Sequence, residues 1–213
     1  MSNPDDKDLA AAKHLASYLA GTITMGIGYR KSGNTTPYFY ADSDDASDET
    51  RKSCAGYMSM LADGPIYWKS GMIDSLSLSS CESEIRAINM ALEPIKESVK
   101  LKQLMTDIEE TLHTSEQDVA TEQAYSLLTD VPVEILEDNK ACIDWSKHRT
   151  NSTKMRHLER SLKWIQTYVA EGKIRLIHIP TENQLADIFT KALAKAPFLH
   201  LRNRFLFNFA YPE

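Results

Sequence analysis

Val131-Pro132-Val133-Glu134-Ile135-Leu136-Glu137-Asp138-Asn139 is the stretch on which the reading of this 213-residue chain turns. Val131, Val133 and Ile135 recur with a period of two, which predicts a strand with one buried face. Asn139 then stands where it can cap a short helix carrying Ala141, Cys142, Ile143 and Trp145. A carboxylate, Asp138, is left at the strand-to-helix junction. Ligand and metal sites gather at the carboxyl ends of strands in α/β folds, so this Asp has both a rigid base and access to solvent. A solitary Asp in such a place is usually a cap or a solvated turn, and its meaning depends on its company.

Upstream, residues 38–41 predict a strand that breaks into Asp42-Ser43-Asp44-Asp45-Ala46-Ser47-Asp48-Glu49. That run lacks the Gly and terminal Glu of an EF-hand at the required offsets, which leaves a self-repelling loop or the first ligand of a metal site. Strands at 55–61 and 65–69 follow, joined by Ala62-Asp63-Gly64, a hairpin signal, and residues 74–79 alternate as a further strand. A long helix is predicted over about 82–107, with Ile85, Ile88, Ala91, Leu92 and Ile95 inward and Pro94 as the expected kink. Glu82 and Glu84 fall in its first turn, where acids complement the helix dipole whatever else they do. Residues 109–130 are polar and weakly periodic and suit a variable insertion.

Downstream, a polar loop at 147–152 leads to a helix capped by Thr153 and ended by Gly172, then a strand over 173–179 stopped by Pro180. A short helix from Glu182 or Asn183 carries Asp187 between Leu185 and Ile188, where a burying partner or a metal would explain it. The last element predicted is an amphipathic helix over about 196–207. At the other end, a helix over 8–20 and a strand over 25–29 read as a connector packed against a domain. The domain organisation expected is therefore 1–34 as connection, 35–195 as the α/β domain, and 196–213 as a C-terminal helix and tail.

Composition bounds the function classes. With 42% apolar residues the chain can bury a core, and no apolar run approaches the roughly 20 residues needed to cross a bilayer. Residues 1–6 lack a signal pattern, and Cys54, Cys81 and Cys142 form no Cys-x-x-Cys pair, so reduced thiols in an intracellular protein are expected, with no zinc site and no disulfide frame. The net charge of −6 is uneven. Residues 140–204 hold 13 Lys or Arg against 5 Asp or Glu, a balance of +8 against −14 elsewhere. A basic half beside an acidic one is a nucleic-acid footprint, although solvated helix faces give the same balance.

Acids therefore stand at the end of one strand, the start of a helix, the end of a later strand and the start of a late helix. Converging carboxylates repel and raise one another's pKa unless cations lie between them. Oxygen-only ligands suit Mg²⁺ or Mn²⁺, and two such ions serve phosphodiester hydrolysis.

The runs Tyr40-Ala41-Asp42-Ser43-Asp44, Thr50-Arg51-Lys52-Ser53, Gly56-Tyr57, Trp68-Lys69-Ser70, Leu78-Ser79-Ser80-Cys81-Glu82-Ser83-Glu84, Glu137-Asp138-Asn139 and Gln184-Leu185-Ala186-Asp187-Ile188-Phe189-Thr190-Lys191 together resemble the ribonuclease H domain of copia-type LTR retrotransposon polyproteins, from about residue 8 to about 205. The N-terminal part is similar to the connection that follows reverse transcriptase in those polyproteins. The resemblance implies an α/β fold with a ribonuclease H-like mixed five-stranded sheet, three antiparallel strands and then parallel additions, flanked by helices. It implies an endonuclease that hydrolyses the RNA strand of RNA–DNA hybrids with two Mg²⁺ ions, for which Mn²⁺ can substitute, leaving 5′-phosphate and 3′-hydroxyl ends. Its metal-binding, catalytic carboxylates fall on Asp42, Glu84, Asp138 and Asp187; Asp44 and Glu82 are the two-residue alternatives. Asp45 stands where the family usually has an aromatic residue, and the loop that carries a turnover-assisting His is shortened here to 180–183, so that role is not transferred and His178 is taken as structural. Ser79, Ser80 and Asn139 are candidates for 2′-hydroxyl contacts, and Lys154, Arg156 and His157 for phosphates.

The partners implied are the RNA–DNA hybrid and reverse transcriptase in the same polyprotein or assembly, with no membrane. The location implied is intracellular, in cytoplasmic virus-like particles, the nucleus or both. The expectation is either an excised polyprotein domain or a captured stand-alone copy. The competing reading is a catalytically idle hybrid-binding or scaffold module; a recombinase-type nuclease acting on DNA would need fewer carboxylates in another order.

Overall fold

The computed structural model describes residues 4–31, 36–44, 53–73, 79–113, 131–147 and 159–209. Five strands form the central sheet: β2 (Tyr38–Asp44), β3 (Ser53–Leu61), β4 (Gly64–Ile73), β5 (Val133–Glu137) and β6 (Ile174–His178). Their order is β4-β3-β2-β5-β6. The first three are antiparallel neighbours, while β2–β5 and β5–β6 run parallel, which is the mixed sheet expected from the sequence. The β3–β4 hairpin closes through Ala62 and Asp63, both at positive φ (50° and 61°), the backbone twist that suits a two-residue turn between twisted strands.

Helices α2 (Ser80–Met90), α3 (Leu92–His113), α4 (Lys140–Lys147) and α5 (Glu159–Ala170) flank the sheet. Phe39, Ile85, Ile88, Ile95, Ile135 and Ile165 belong to the core built with them. A second, smaller core of Tyr40, Met58, Met60, Leu185, Ala186 and Leu201 gathers the short helix α6 (Asp187–Thr190) and α7 (Lys195–Arg202). Alternate residues of β2 thus feed opposite cores, as a pleated strand buried on both faces must.

Four sequence expectations change. The strand predicted to stop at residue 41 runs on to Asp44, so Asp42 sits within it rather than after it. The single helix predicted over 82–107 is two, broken at Ala91, where the backbone N–H bonds back to Ala87 and Ile88 carbonyls. Pro94 therefore lies in the first turn of α3, where a missing N–H costs nothing, and produces no internal kink. α3 also extends to His113, inside the predicted insertion, the remainder of which (114–130) lies outside the described residues. So do residues 74–78 of the further strand predicted at 74–79, and Thr153.

The chain ends correct two further expectations. The predicted terminal helix stops at Arg202, and Leu206–Asn208 form a strand, β7, antiparallel to β1 (Met25–Ile27), so the two flanks of the domain pair with each other. Helix α1 (Asp6–Gly21) starts in a reciprocal cap between Asp5 and Asp8. Its apolar stripe is not packed: Leu9, Leu15 and Leu19 are 54%, 59% and 58% exposed, and Tyr18 meets Phe198 edge to face at 5.8 Å.

Candidate metal and active site

β2 and β5 lie side by side in parallel, with Tyr40 beside Leu136, so their carboxyl ends bring Asp42 and Asp138 together. Glu84 reaches the same point from the first turns of α2, a helix capped by Ser79, whose Oγ accepts the Glu82 N–H at 3.2 Å. Ligand oxygens of Asp42, Glu84 and Asp138 all lie within 4.8 Å of one another. They share a cleft of about 530 Å³, also lined by Asn139, Lys140, His178 and Lys191. Asp42 and Glu84 are buried and Asp138 is half-buried.

Asp187 joins from α6. It is buried behind the cleft, and its Oδ1 lies 3.0 Å from the Lys191 ammonium, which also lies 3.5 Å from Asp42 Oδ1. The Thr190 hydroxyl donates a short hydrogen bond to Asp42 Oδ2. Two residues pin this segment in place. Gln184, fully buried, donates to the carbonyls of Ala41 (2.9 Å) and Leu136 (3.4 Å), tying the loop to both acid-bearing strands. Ser70 Oγ donates to the Phe189 carbonyl at 2.6 Å from β4.

The acids strain against one another. Burial, then Glu137, Asp42 and Asp138, push the Glu84 carboxyl up to about 10. Burial and Asp42 raise Asp187 to about 6. Burial also raises Asp42, opposed by Lys191 and Thr190. Burial disfavours a charged Lys191, yet Asp42 and Asp187 outweigh it and hold its pKa above the ordinary lysine value. Glu84 Oε2 has no hydrogen-bond partner among the described residues. An orphaned buried oxygen within an all-oxygen donor set fits a hard divalent cation.

Of the alternatives, Glu82 is spent on Arg86 (2.7 Å) and Asp44 is outside the acid cluster. The candidate substrate contacts divide. Asn139 lines the cleft, but its Oδ1 caps α4 through the Cys142 N–H (3.2 Å) and its Nδ2 donates to Ser80 Oγ at 3.4 Å. Ser79 and Ser80 are exposed beside the cleft and do not line it, and the Ser79 hydroxyl serves as the α2 cap. Lys154, Arg156 and His157 lie outside the described residues. His178, read from sequence as structural, is instead exposed on the cleft wall.

Two participants escaped the sequence reading. Glu137 is fully buried, one oxygen accepting the Asn139 N–H at 3.0 Å and the other without a partner among the described residues. The alternation that located β5 places Glu137 inward after Val133 and Ile135, so the signal was there. Lys191 ends the quoted Gln184–Lys191 run at i,i+4 from Asp187, a local pairing signal, but nothing local says that its ammonium also reaches Asp42.

Close approach of α6 to the sheet depends on Gly56, opposite Asp42 in the β2–β3 register. A Cβ there would fall 2.6 Å from Phe189 Cβ. Gly56→Ala should therefore cost about 1–3 kcal/mol of stability in a denaturant titration. A change below about 0.5 kcal/mol, ordinary for a surface substitution, would show that α6 yields freely.

No family model matches the chain. It is 28% identical over 205 residues to the retrovirus-related Pol polyprotein from transposon RE1 of Arabidopsis thaliana, covering 96% of this chain and 13% of that one. It is 27% identical over 201 residues to the corresponding polyprotein from transposon TNT 1-94 of Nicotiana tabacum, covering 93% and 13%. The chain thus spans about an eighth of the length of these relatives. Among solved structures, LC11-RNase H1, isolated from compost by a metagenomic approach, is 16% identical with a TM-score of 0.46, covering 73% of this chain and 93% of that one. No helix among the described residues is long and apolar enough to cross a membrane.

Proposed function

We propose, from the homology of this chain to copia-type retrotransposon Pol polyproteins, that it is a ribonuclease H, hydrolysing the RNA strand of RNA–DNA hybrids with divalent metal ions in the service of reverse transcription. The observation that carries the reading is the convergence of Asp42, Glu84 and Asp138 from three separate elements to within 4.8 Å. Such a cluster has no structural use, since uncompensated acids at that spacing cost stability.

In this reading Asp42, Glu84 and Asp138 hold one cation, and Asp42, Asp138 and Asp187 a second, with Mg²⁺ as the natural ion and Mn²⁺ as a substitute. When bound, such ions activate water near neutral pH and neutralise the oxygen that leaves. The chain's own residues do the rest. Gln184 and Thr190 fix the acids, Lys140 and His178 face phosphates from the cleft wall, and Asn139 in the cleft and Ser80 beside it are available for 2′-hydroxyls. Lys154, Arg156 and His157 are assigned to further phosphate contacts on their charge in the sequence. The partner in the assembly is a reverse transcriptase.

The test is cleavage of a hybrid labelled in its RNA strand, beside RNA and DNA duplexes of the same sequence. RNA-strand products bearing 5′-phosphate and 3′-hydroxyl ends are expected from the hybrid alone. No product over a range of Mg²⁺ and Mn²⁺ would leave a hybrid-binding scaffold as the function.

A further inference from the structure

The two halves of the acid site are not equivalent. On the Glu84–Asp138 side no basic side chain bridges the acids among the described residues, and Glu84 Oε2 is without a partner. On the other side Lys191 lies 3.0 Å from Asp187 Oδ1 and 3.5 Å from Asp42 Oδ1, its side chain 31% exposed along the cleft. Asp42 belongs to both halves, with Oδ2 held by Thr190 and Oδ1 facing the ammonium. A positive charge on a covalent tether thus already occupies the neighbourhood that a cation held by Asp42 and Asp187 would use.

We propose that Lys191 is a tethered counter-cation that orders metal loading: a first divalent ion enters at Asp42, Glu84 and Asp138, of which the ammonium contacts only Asp42, and a second reaches Asp42 and Asp187 only by displacing the ammonium. This rests on the metal-dependent reading above and adds an asymmetry to it. Charge counting supports the order. With their protons displaced by metal, four carboxylates and one ammonium leave three negative charges, and one divalent ion brings the site close to neutral. A further divalent ion then meets both the first ion and Lys191. The tether keeps the competitor at a high effective concentration, whereas free ions must be drawn from solution. Once displaced, Lys191 has the cleft mouth before it, where a substrate phosphate gives it a new partner. Lys191 is a positioning residue in this account, acting through Asp42 and Asp187.

Calorimetric titration of the full chain with Mg²⁺ alone, without nucleic acid, tests the order. Wild type should bind one ion well and a second at least about tenfold more weakly or not at all, the scale expected of a tethered competitor. Lys191→Met should strengthen the second event about fivefold or more and leave the first within about twofold, while Lys191→Arg keeps the gap. A folded Lys191→Met protein with the wild-type gap overturns the inference. Should that variant fail to fold without metal, the side-chain NMR signal of Lys191 in wild type decides. It should stay in place through the first equivalent of Mg²⁺ and move with the second; movement with the first equivalent, or none at all, overturns the inference. No Mg²⁺ binding by any of the three proteins removes the metal-dependent nuclease as well, whereas binding with an unchanged gap removes only the role of Lys191.

Discussion

Asp42→Asn should reduce hybrid cleavage at least about 10³-fold, close to 4 kcal/mol of barrier at 1.36 kcal/mol per tenfold, without lowering the stability of the metal-free protein. Asp42, like Asp138, serves both proposed cations; it is clustered with Glu84 and Asp138 and paired through Lys191 with Asp187. Asn keeps its size and still accepts from Thr190 through Oδ1, so packing around the fully buried side chain survives. What it loses is a charge that burial already disfavours, which is why stability should hold or rise. Loss of activity with retention of fold separates a reacting site from a structural one. Asp138→Asn should behave likewise, whereas Glu82→Gln removes the charge that pairs with Arg86 and should lose stability more than turnover. Less than a tenfold fall in cleavage for Asp42→Asn, measured at saturating hybrid and several Mg²⁺ concentrations, would mean that the chemistry lies elsewhere.

Local pattern carried much of this site, and its failures share a cause. β5 is legible because Val133 and Ile135 alternate and Asn139 caps the helix after it, so Asp138 could be placed at a strand end without knowing its neighbours. Glu84 could be separated from Glu82 only by resemblance, since both occupy a first helical turn; the pair of Glu82 with Arg86 distinguishes them in space. Pro94 marks a kink by its residue type, yet the break falls at Ala91, and in the first turn of α3 the proline is harmless. Residues 206–207 read as the end of a helix by their apolar spacing but pair with β1, some 180 residues earlier, and such pairing leaves no local trace. The same holds for the contact of Lys191 with Asp42 and that of Gln184 with Ala41, which span about 150 residues to β2. The stripe on α1 shows the converse: periodicity predicts an apolar face correctly but not what covers it.

Raising the pH should destabilise the metal-free protein, and Mg²⁺ should abolish most of that slope. In the native state Glu84 is pushed up to about 10 from an ordinary 4.5, chiefly by burial and then by Glu137 and Asp42, and Asp187 to about 6 from 3.8. Groups whose native pKa lies above the unfolded value hold protons that the unfolded chain has released. The native state therefore binds more protons, and unfolding free energy falls with pH, on the order of 1.4 kcal/mol per pH unit for each proton so held. The contribution is fully present below the unfolded values near 4 and 4.5. That of Asp187 is spent by about pH 6, and that of Glu84 is still being lost toward pH 10. Divalent cations reverse the preference by compensating the carboxylates, so they should bind more tightly as pH rises and release protons on binding. Thermal melts between pH 5 and 9 in chelator should show a falling midpoint, and the same series in Mg²⁺ a nearly level one. Titrations in buffers of different ionisation enthalpy should register proton release. A melting midpoint in chelator that rises across this range would mean that the acids are already ionised and mutually compensated without metal, and the case for cations between them would be lost.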